Sequence, residues 1–282
     1  MGRFPTLNIS EKDSAGVNFL YHTLPGRCLL RLLIRPGVSK ALGAFLDTGL
    51  SRYLVGPFVK TTGLDLSDYP ERSYASFNDF FTRRVKEGRR PVDMDPDTLV
   101  APCDGKLTVY PITADGLFDI KHSVYSLADL LRDGALAAEY EGGTCLIFRL
   151  TPDDFHRYSF MDDGTVLRSR TVPGVLHTVR PIAFRRYPVF SENAREYAVL
   201  ETANFGRVIQ MEVGALFVGR IVNHPLTGFT RGLEKGKFEF GGSTVILLLQ
   251  KGAAVMDEEL LENTRSGKES IVRLGQSLGK KG

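Results

Sequence analysis

The sequence predicts an α+β protein in which N-terminal amphipathic helices precede a β-rich domain built from antiparallel sheets. Between residues 25 and 46, apolar and basic residues recur at helical spacing. Beyond Pro91 the pattern changes to short apolar runs of strand length, separated by turn residues. With 282 residues, of which 43% are hydrophobic, the chain is long enough to bury a substantial core.

The predicted N-terminal helices carry a basic face. The apolar residues of 25–34 are interleaved with three arginines that recur every four positions and therefore share one side of a leucine-rich helix: Arg27, Arg31 and Arg35. A break is expected at residues 36–37, and a second helix is predicted over residues 39–46. The pattern fits core-packing helices with solvated arginines, and it also fits an in-plane anchor on an anionic membrane.

The later segments give a series of shorter elements. Residues 61–74 are polar and indicate a linker, and Ser76 is placed to cap a helix over residues 77–84. The charged segment 257–281 is expected to be helical or frayed. Apolar runs predict strands at Cys145–Leu150 and Val245–Leu249 and a hairpin formed by Tyr197–Thr202 and Arg207–Val213. We therefore divide the chain into an N-terminal helical region with its linker, 1–72, and a β-rich domain, 73–282.

Composition excludes several classes of protein. A formal net charge of +3 is too small for a dedicated nucleic-acid binder, so no nucleic-acid partner is expected. Three widely spaced cysteines fit reduced thiols of a cytosolic protein, and no metal-binding spacing is present. The N-terminus lacks the pattern of a secretory signal, and charged residues interrupt every stretch that could span a bilayer.

The glycine pair before Ser243 could carry chemistry. Two glycines let the backbone adopt conformations closed to other residues, so the Ser243 hydroxyl can approach the carbonyl group of Gly242. A strained peptide at this position could undergo an N-to-O acyl shift. Taken alone, the same four residues, Gly241 to Thr244, also fit a plain turn or β-bulge.

A serine hydroxyl is a poor nucleophile unless a base takes its proton, and the base works best when a carboxylate orients it. Among the five histidines His156 is the strongest candidate, because it follows an apolar strand in a loop that would place it at the rim of a sheet. Asp104 is a candidate carboxylate in the segment Ala-Pro-Cys-Asp-Gly, although Asp-Gly alone is typical of an ordinary turn.

Taken together and in order, these segments resemble the phosphatidylserine decarboxylases, of the pyruvoyl-dependent prokaryotic type. The resemblance covers residues 77–249, and the joint order of its pieces is specific. The matching pieces are Phe77–Arg84, Ala101–Gly105, Asp154–Arg157, Asn193–Glu196, residues 213–219 and Lys235–Thr244.

The resemblance implies a proenzyme that cuts itself between Gly242 and Ser243. The products would be a large chain, 1–242, and a small chain, 243–282, that form a heterodimer, and a higher oligomer stays open. Ser243 would become a covalent pyruvoyl group, which forms a Schiff base with the amine of phosphatidylserine and draws off the electrons released with carbon dioxide. The product would be phosphatidylethanolamine, with no metal and no added cofactor.

The resemblance also assigns roles to two further residues: Asp104 orients a histidine, and His156 acts as the base. Many family members have a second histidine three residues later, where this chain has Ser159. One histidine would then serve both maturation and reprotonation of the product, unless His177 fills the gap. Gly241 stands where the more familiar motif has leucine, which should loosen the cleavage turn.

A lipid substrate favours the membrane interpretation of the N-terminal helices. Each basic residue near an anionic surface contributes roughly 1 kcal/mol, so we expect a peripheral protein on the cytoplasmic side of the cell membrane. Two alternatives remain: a pyruvoyl-dependent decarboxylase of a soluble amino acid, and a membrane-associated module that never processes.

Overall fold

The computed structural model describes residues 2–8, 15–120, 123–184, 186–216, 220–241 and 243–282. Its α-helices are α1 (Ala15–His22), α2 (Leu24–Leu33), α3 (Pro36–Leu46), α4 (Val55–Thr62), α5 (Phe77–Phe81), α6 (Leu127–Leu131), α7 (Gly134–Ala138), α8 (Pro181–Phe184), α9 (Val189–Glu192) and α10 (Glu258–Arg265), with a 3₁₀ helix at Gly49–Leu54. Its first eight strands are β1 (Thr6–Asn8), β2 (Thr98–Val100), β3 (Gly105–Pro111), β4 (Leu117–Ile120), β5 (Ser123–Ser126), β6 (Thr144–Leu150), β7 (Arg157–Ser159) and β8 (Gly164–Val172). The others are β9 (Arg195–Thr202), β10 (Gly206–Val213), β11 (Ile221–Asn223), β12 (Gly228–Phe229), β13 (Glu234–Phe238), β14 (Ser243–Leu249), β15 (Ala254–Met256), β16 (Lys268–Val272) and β17 (Ser277–Lys281). The predicted α+β class is confirmed.

An antiparallel sheet forms the centre of the described structure, with the strand order β1-β16-β3-β6-β14-β10-β9-β8-β12. The predicted hairpin is its β9–β10 pair, and β14 lies between β6 and β10. All seven residues of β14 are buried, as expected for a central strand that is covered on both faces. A smaller sheet, β11-β13-β7, packs on one of these faces.

Hydrogen bonds identify the face that the smaller sheet covers. The Gln210 amide donates to the carbonyl oxygen of Ser159, and Lys235 donates to the Glu212 carboxylate at 2.6 Å, so this face of β10 points at the smaller sheet. Glu212 pairs with Val245 across the strands, and Ser243 precedes Val245 by two residues. Because side chains alternate between faces along a strand, Ser243 also points toward the smaller sheet.

The N-terminal helices form as predicted and pack on the β-rich part. Tyr21, Leu30 and Ile34 belong to the main hydrophobic core. Pro36 begins α3 and does not simply interrupt the helical region, because proline is well suited to the first turn of a helix, where no N–H partner is needed. The division of the chain after residue 72 stays a prediction.

Two expectations need correction. Segment 257–281 is not helical throughout, because only α10 is a helix and β16 and β17 follow it. These two strands form because β16 pairs with β3 and β17 pairs with β2 and β15, a tertiary pairing that outweighs their charged composition. Ser76 does cap α5, accepting from the Asp79 N–H at 3.1 Å, but that helix ends at Phe81. No helix of the described residues is long and apolar enough to cross a membrane.

Candidate active site

One edge of the central sheet collects the segments that the sequence singled out. Adjacent strands run in opposite directions, so the start of one strand lies beside the end of the next, as Ser243 lies opposite Leu150. The turns at this edge carry Asp104 before β3 and His156 after β6. The four strands β3, β6, β14 and β10 meet the edge at Gly105, Leu150, Ser243 and Val213.

Ser243 is the first residue of β14 and is fully buried. Its Oγ has no hydrogen-bond partner among the residues that the structure describes, and neither has the Oγ1 of Thr244. Buried hydroxyl groups are normally hydrogen-bonded, so an orphaned one needs a functional or structural explanation. Gly241 has a φ of 131°, a conformation that favours glycine, which explains why no leucine stands there. Gly242, the other half of the predicted cleavage site, lies outside the described residues.

His156 is a neutral imidazole with one ring nitrogen in a hydrogen bond and the other without a partner among the described residues. Its Nδ1 lies 2.9 Å from the carbonyl oxygen of Asp154. A carbonyl group only accepts, so Nδ1 carries the proton and Nε2 has the free lone pair. Burial, reinforced by the positive charge of Arg83, lowers the pKa of His156 to about 3. Nε2 is buried and has no partner within the described ranges, so it is available as a proton acceptor.

The loop that carries His156 is fixed by a buried ion pair. Lys106 donates to the Asp154 carboxylate at 2.7 Å, and the same carboxylate accepts from the backbone N–H of Thr151 at 2.6 Å. The ring of His156 packs against Phe81 at a centroid distance of 4.0 Å. These contacts hold the Asp154 carbonyl group where it sets the tautomer of the histidine.

Asp104 does not contact His156. Its buried carboxylate accepts from Arg90, with Nε to Oδ1 at 2.8 Å and Nη2 to Oδ2 at 2.6 Å, and from the N–H of Leu274 at 2.8 Å. No hydrogen bond joins Asp104 to His156 in the part of the chain that the structure describes. In this structure the hydrogen-bond partner of the His156 imidazole is the Asp154 carbonyl group, and the orienting role that the resemblance implies for Asp104 stays a prediction.

His177 lies beside the turn that leaves β10 at the same edge. Asn193 connects the two, since its amide donates to the carbonyl oxygens of His177 at 2.8 Å and Gly214 at 2.7 Å. Burial lowers the pKa of His177 to about 4. Its Nδ1 lies 3.3 Å from the Tyr21 hydroxyl, and its ring stacks on Tyr187 at 4.1 Å. Its Nε2 lies 3.8 Å from the Glu192 carboxylate, so both nitrogens of His177 face a neighbouring group, whereas Nε2 of His156 has no partner among the described residues.

The sequence reasoning missed the contribution of Lys106 and Asp154. Lys106 directly follows the matching segment Ala101–Gly105, and Asp154 lies in the segment Asp154–Arg157, two residues before His156. The available signal was a lysine at the start of an apolar strand, because such a residue needs a buried partner. Which carboxylate would meet it depends on the pairing of β3 with β6 and is not readable from spacing.

The fold and the edge geometry define a β-rich protein with a water-excluded serine and a neutral histidine in the loop after a neighbouring strand. A family model described as phosphatidylserine decarboxylase matches residues 77–280. Phosphatidylserine decarboxylase proenzyme 2 of Clostridium acetobutylicum is 46% identical over 264 residues, covering 93% of this chain and 91% of the relative. Proenzymes named phosphatidylserine decarboxylase from Clostridium botulinum and Ruminiclostridium cellulolyticum are each 38% identical over 270 residues, covering 93% of this chain and 92% and 90% of the relatives.

The chain belongs to the phosphatidylserine decarboxylase family, an enzyme family of carboxy-lyases. This confirms the resemblance inferred from the ordered segments. The matched range, 77–280, extends that resemblance beyond residue 249 to the last strands of the chain.

The depressed pKa of His156 predicts a pH dependence of stability. Between its folded pKa of about 3 and its ordinary value of 6.5, the unfolded chain binds one more proton at this residue. The free energy of unfolding should therefore fall as the pH drops below 6.5, by up to about 1.4 kcal/mol per pH unit from His156 alone. Urea unfolding between pH 7 and pH 5 should show a shallower dependence on pH in His156→Gln than in the protein that keeps His156, both proteins carrying Ser243→Ala so that they differ at position 156 alone. Equal slopes would contradict a neutral buried His156.

Proposed function

We propose that this chain cleaves itself between Gly242 and Ser243, that Ser243 becomes a pyruvoyl group, and that the mature enzyme converts phosphatidylserine to phosphatidylethanolamine and carbon dioxide. The observation that carries the proposal is the buried, unpartnered hydroxyl of Ser243, on the face of β14 that the smaller sheet covers. The relatives' printed name, phosphatidylserine decarboxylase proenzyme, supports both the self-cleavage and the substrate.

Self-cleavage begins at the Ser243 hydroxyl. His156 Nε2 is the proposed acceptor for its proton, because Nε2 is unprotonated, buried and free of other partners among the described residues. As the new bond forms between Oγ and the carbonyl carbon of Gly242, the peptide C–N bond breaks and the proton passes to the freed amine of Ser243. Elimination of the Gly242 carboxylate, with loss of the α-proton of Ser243, then gives a dehydroalanine. Water hydrolyses its imine tautomer, supplies the ketone oxygen and releases ammonia, which leaves the pyruvoyl cap on the small chain.

The residues around Ser243 fit such a group. The position is closed to bulk water and bordered by apolar side chains, which limits hydrolysis and strengthens local electrostatic interactions. The pyruvoyl ketone supplies an electron sink for the pair of electrons released with carbon dioxide. His156, which returns to its neutral form after maturation, is the proposed group that holds and moves the proton needed by the product. Asp104, paired with Arg90, is proposed to anchor the turn before β3 and the segment at Leu274 beside it.

The central position of β14 supports a stable heterodimer after the cut. The small chain, 243–282, would contribute β14 between β6 and β10 of the large chain, together with α10, β16 and β17. Each side of β14 is hydrogen-bonded to a strand of the other chain. Separation would therefore expose the buried strand β14 and leave the backbone groups of β6 and β10 that now pair with it without partners.

The N-terminal helices support a peripheral position on an anionic membrane. Several large apolar side chains of this region are exposed: Leu24 at 72%, Leu50 at 71%, and Leu29, Leu32 and Tyr53. Arg31 and Arg35 are exposed beside them, and Arg27 is half-buried. Exposed leucines flanked by arginines are typical of a helix that lies in the interface of a bilayer, and we propose the cytoplasmic face of the cell membrane.

Processing is tested by the intact mass of the chains. The wild-type protein should yield a small chain of 40 residues, from 243 to 282 (282 − 242 = 40), carrying a pyruvoyl cap. The small chain should separate from the large chain on a denaturing gel but elute together with it from a size-exclusion column under native conditions. Ser243→Ala should remain one uncut chain without decarboxylase activity, because no ester can form. Activity of an uncut wild-type preparation, or of Ser243→Ala, would overturn the mechanism.

The base is assigned by comparing two histidine variants. His156→Ala should slow self-cleavage by about 10²- to 10⁴-fold, the usual contribution of a general base. His177→Ala should slow it less, because the His177 imidazole is engaged by Tyr21 and Tyr187. The rate of appearance of the 40-residue fragment measures both. A larger loss in His177→Ala would transfer the role to that residue.

The role of Asp104 is tested by Asp104→Asn in the same assay. A fall in the rate of self-cleavage near the roughly 10⁴-fold of a catalytic triad would support an orienting role for Asp104.

Membrane docking is tested with vesicles that contain phosphatidylserine. Replacing Arg27, Arg31 and Arg35 by glutamine should weaken sedimentation with these vesicles by about 10²-fold, from roughly 1 kcal/mol for each basic residue. A matched triple replacement of Arg265, Lys251 and Lys281, all exposed on the other part of the chain, should have little effect. Equal losses in both triples would favour a diffuse charge effect.

Activity on free serine that matches activity on vesicles would favour a soluble amino acid as substrate.

A further inference from the structure

Arg83 is a buried cation that has no anionic partner in the part of the chain that the structure describes. Its residue is 1% exposed, and its Nε and Nη2 atoms make no hydrogen bond. Among the described residues, Nη1 has one partner, the carbonyl oxygen of Phe80, at the long distance of 3.3 Å. The guanidinium carbon lies over the rings of Tyr69, at 4.2 Å, and Phe80, at 4.8 Å. Two aromatic rings, the neighbouring Tyr69 hydroxyl and one carbonyl group compensate this charge, and no carboxylate of the described residues pairs with it.

Other buried basic side chains of the described residues are satisfied in a different way. Four of them form short ion pairs with carboxylates, and Arg195 donates to four backbone carbonyl groups. The ion pairs are Lys106–Asp154, Arg149–Glu269, Arg231–Asp162 and Lys235–Glu212. Burying an unpaired charge is costly, so a guanidinium without a counter-ion in this setting indicates an anion that the polypeptide does not itself supply.

The unpaired guanidinium lies close to the candidate active site. The preceding residue, Thr82, accepts a hydrogen bond from Arg157 at 2.8 Å, and Phe81 packs on His156. The charge of Arg83 also contributes to the lowered pKa of His156. Tyr69, which covers the guanidinium, borders a cavity of about 310 Å³ whose walls include the end of α4 and the turns of Asp104 and Asp154. Arg83 does not itself line this cavity, so a ligand there reaches the guanidinium only if the Tyr69 ring moves aside.

We propose that Arg83 binds the phosphate group of the substrate beside the reacting headgroup, an inference that rests on the proposed function. Nε and Nη2 form one edge of the planar guanidinium, the arrangement that binds two oxygens of a phosphate at once. The carboxylate of the substrate is the other available anion. Holding it against a cation would stabilise the carboxylate in the ground state, although its electrons must move into the electron sink as neutral carbon dioxide leaves, and so would slow decarboxylation. The phosphate keeps its charge throughout the reaction and is the better partner.

The first test uses steady-state kinetics with Arg84, the exposed neighbour, as the matched control. Arg83→Met should still release the 40-residue fragment, and its KM for phosphatidylserine in mixed micelles should rise by at least 10²-fold with a smaller change in kcat. Arg83→Lys should fall between wild type and Arg83→Met, because lysine keeps the charge but not the two-pronged edge. Arg84→Met should resemble wild type. An unchanged KM in Arg83→Met would overturn the proposal while leaving the proposed function intact.

The second test distinguishes phosphate from carboxylate. Glycerophosphoethanolamine keeps the phosphate but lacks the carboxylate, so it should inhibit the wild-type enzyme and inhibit Arg83→Met at least 10²-fold less strongly. Equal inhibition of both proteins would move the anion to the carboxylate and overturn the proposal.

A third measurement does not depend on activity. In the uncut Ser243→Ala chain, inorganic phosphate should raise Tm, and adding Arg83→Met should abolish that shift. Arg83→Met should itself keep or raise Tm without phosphate, because methionine replaces an uncompensated buried charge. A Tm insensitive to phosphate, or a phosphate shift that survives Arg83→Met, would overturn the assignment. Failure of the wild-type chain to process would instead count against the proposed function.

Discussion

The placement of β14 between β6 and β10 is the constraint on which the rest of the structure depends. Antiparallel pairing on both sides places Ser243 opposite Leu150 at one edge of the sheet and points its side chain toward the smaller sheet. The same pairing places the turns that follow β6 and β10 beside the serine. A cut before Ser243 would leave all of these backbone hydrogen bonds in place, so the sheet could keep its structure after cleavage.

Electrostatic pairing organises the edge. The ion pair of Arg90 with Asp104 holds the turn before β3, and the ion pair of Lys106 with Asp154 holds the turn after β6. Because these charges satisfy one another, the buried imidazole of His156 receives only a carbonyl acceptor and remains neutral. Arg83 differs from these paired residues, because no carboxylate of the described residues lies against its guanidinium. This difference is the reason for proposing an anionic ligand there.

The N-terminal helices and the site are connected through the packing of the chain. Phe77, Phe80 and Phe81 of α5 pack with Leu46 of α3, and Phe81 reaches the ring of His156. A cavity runs from the end of α4 to the turns of the site. The part of the molecule that carries the exposed leucines and arginines therefore lies next to the part that carries the proposed chemistry.

The sequence by itself determined the order of segments, the amphipathic helices and the hairpin, because these follow from local periodicity and turn chemistry. It also singled out Asp104, His156, His177 and Ser243, mainly through their joint order. Only the tertiary structure decided which groups meet: Asp154 and not Asp104 holds His156, and β16 and β17 join sheets despite their charged composition. The physical reason is that strand pairing and buried ion pairs join residues distant along the chain, about which local spacing carries no information.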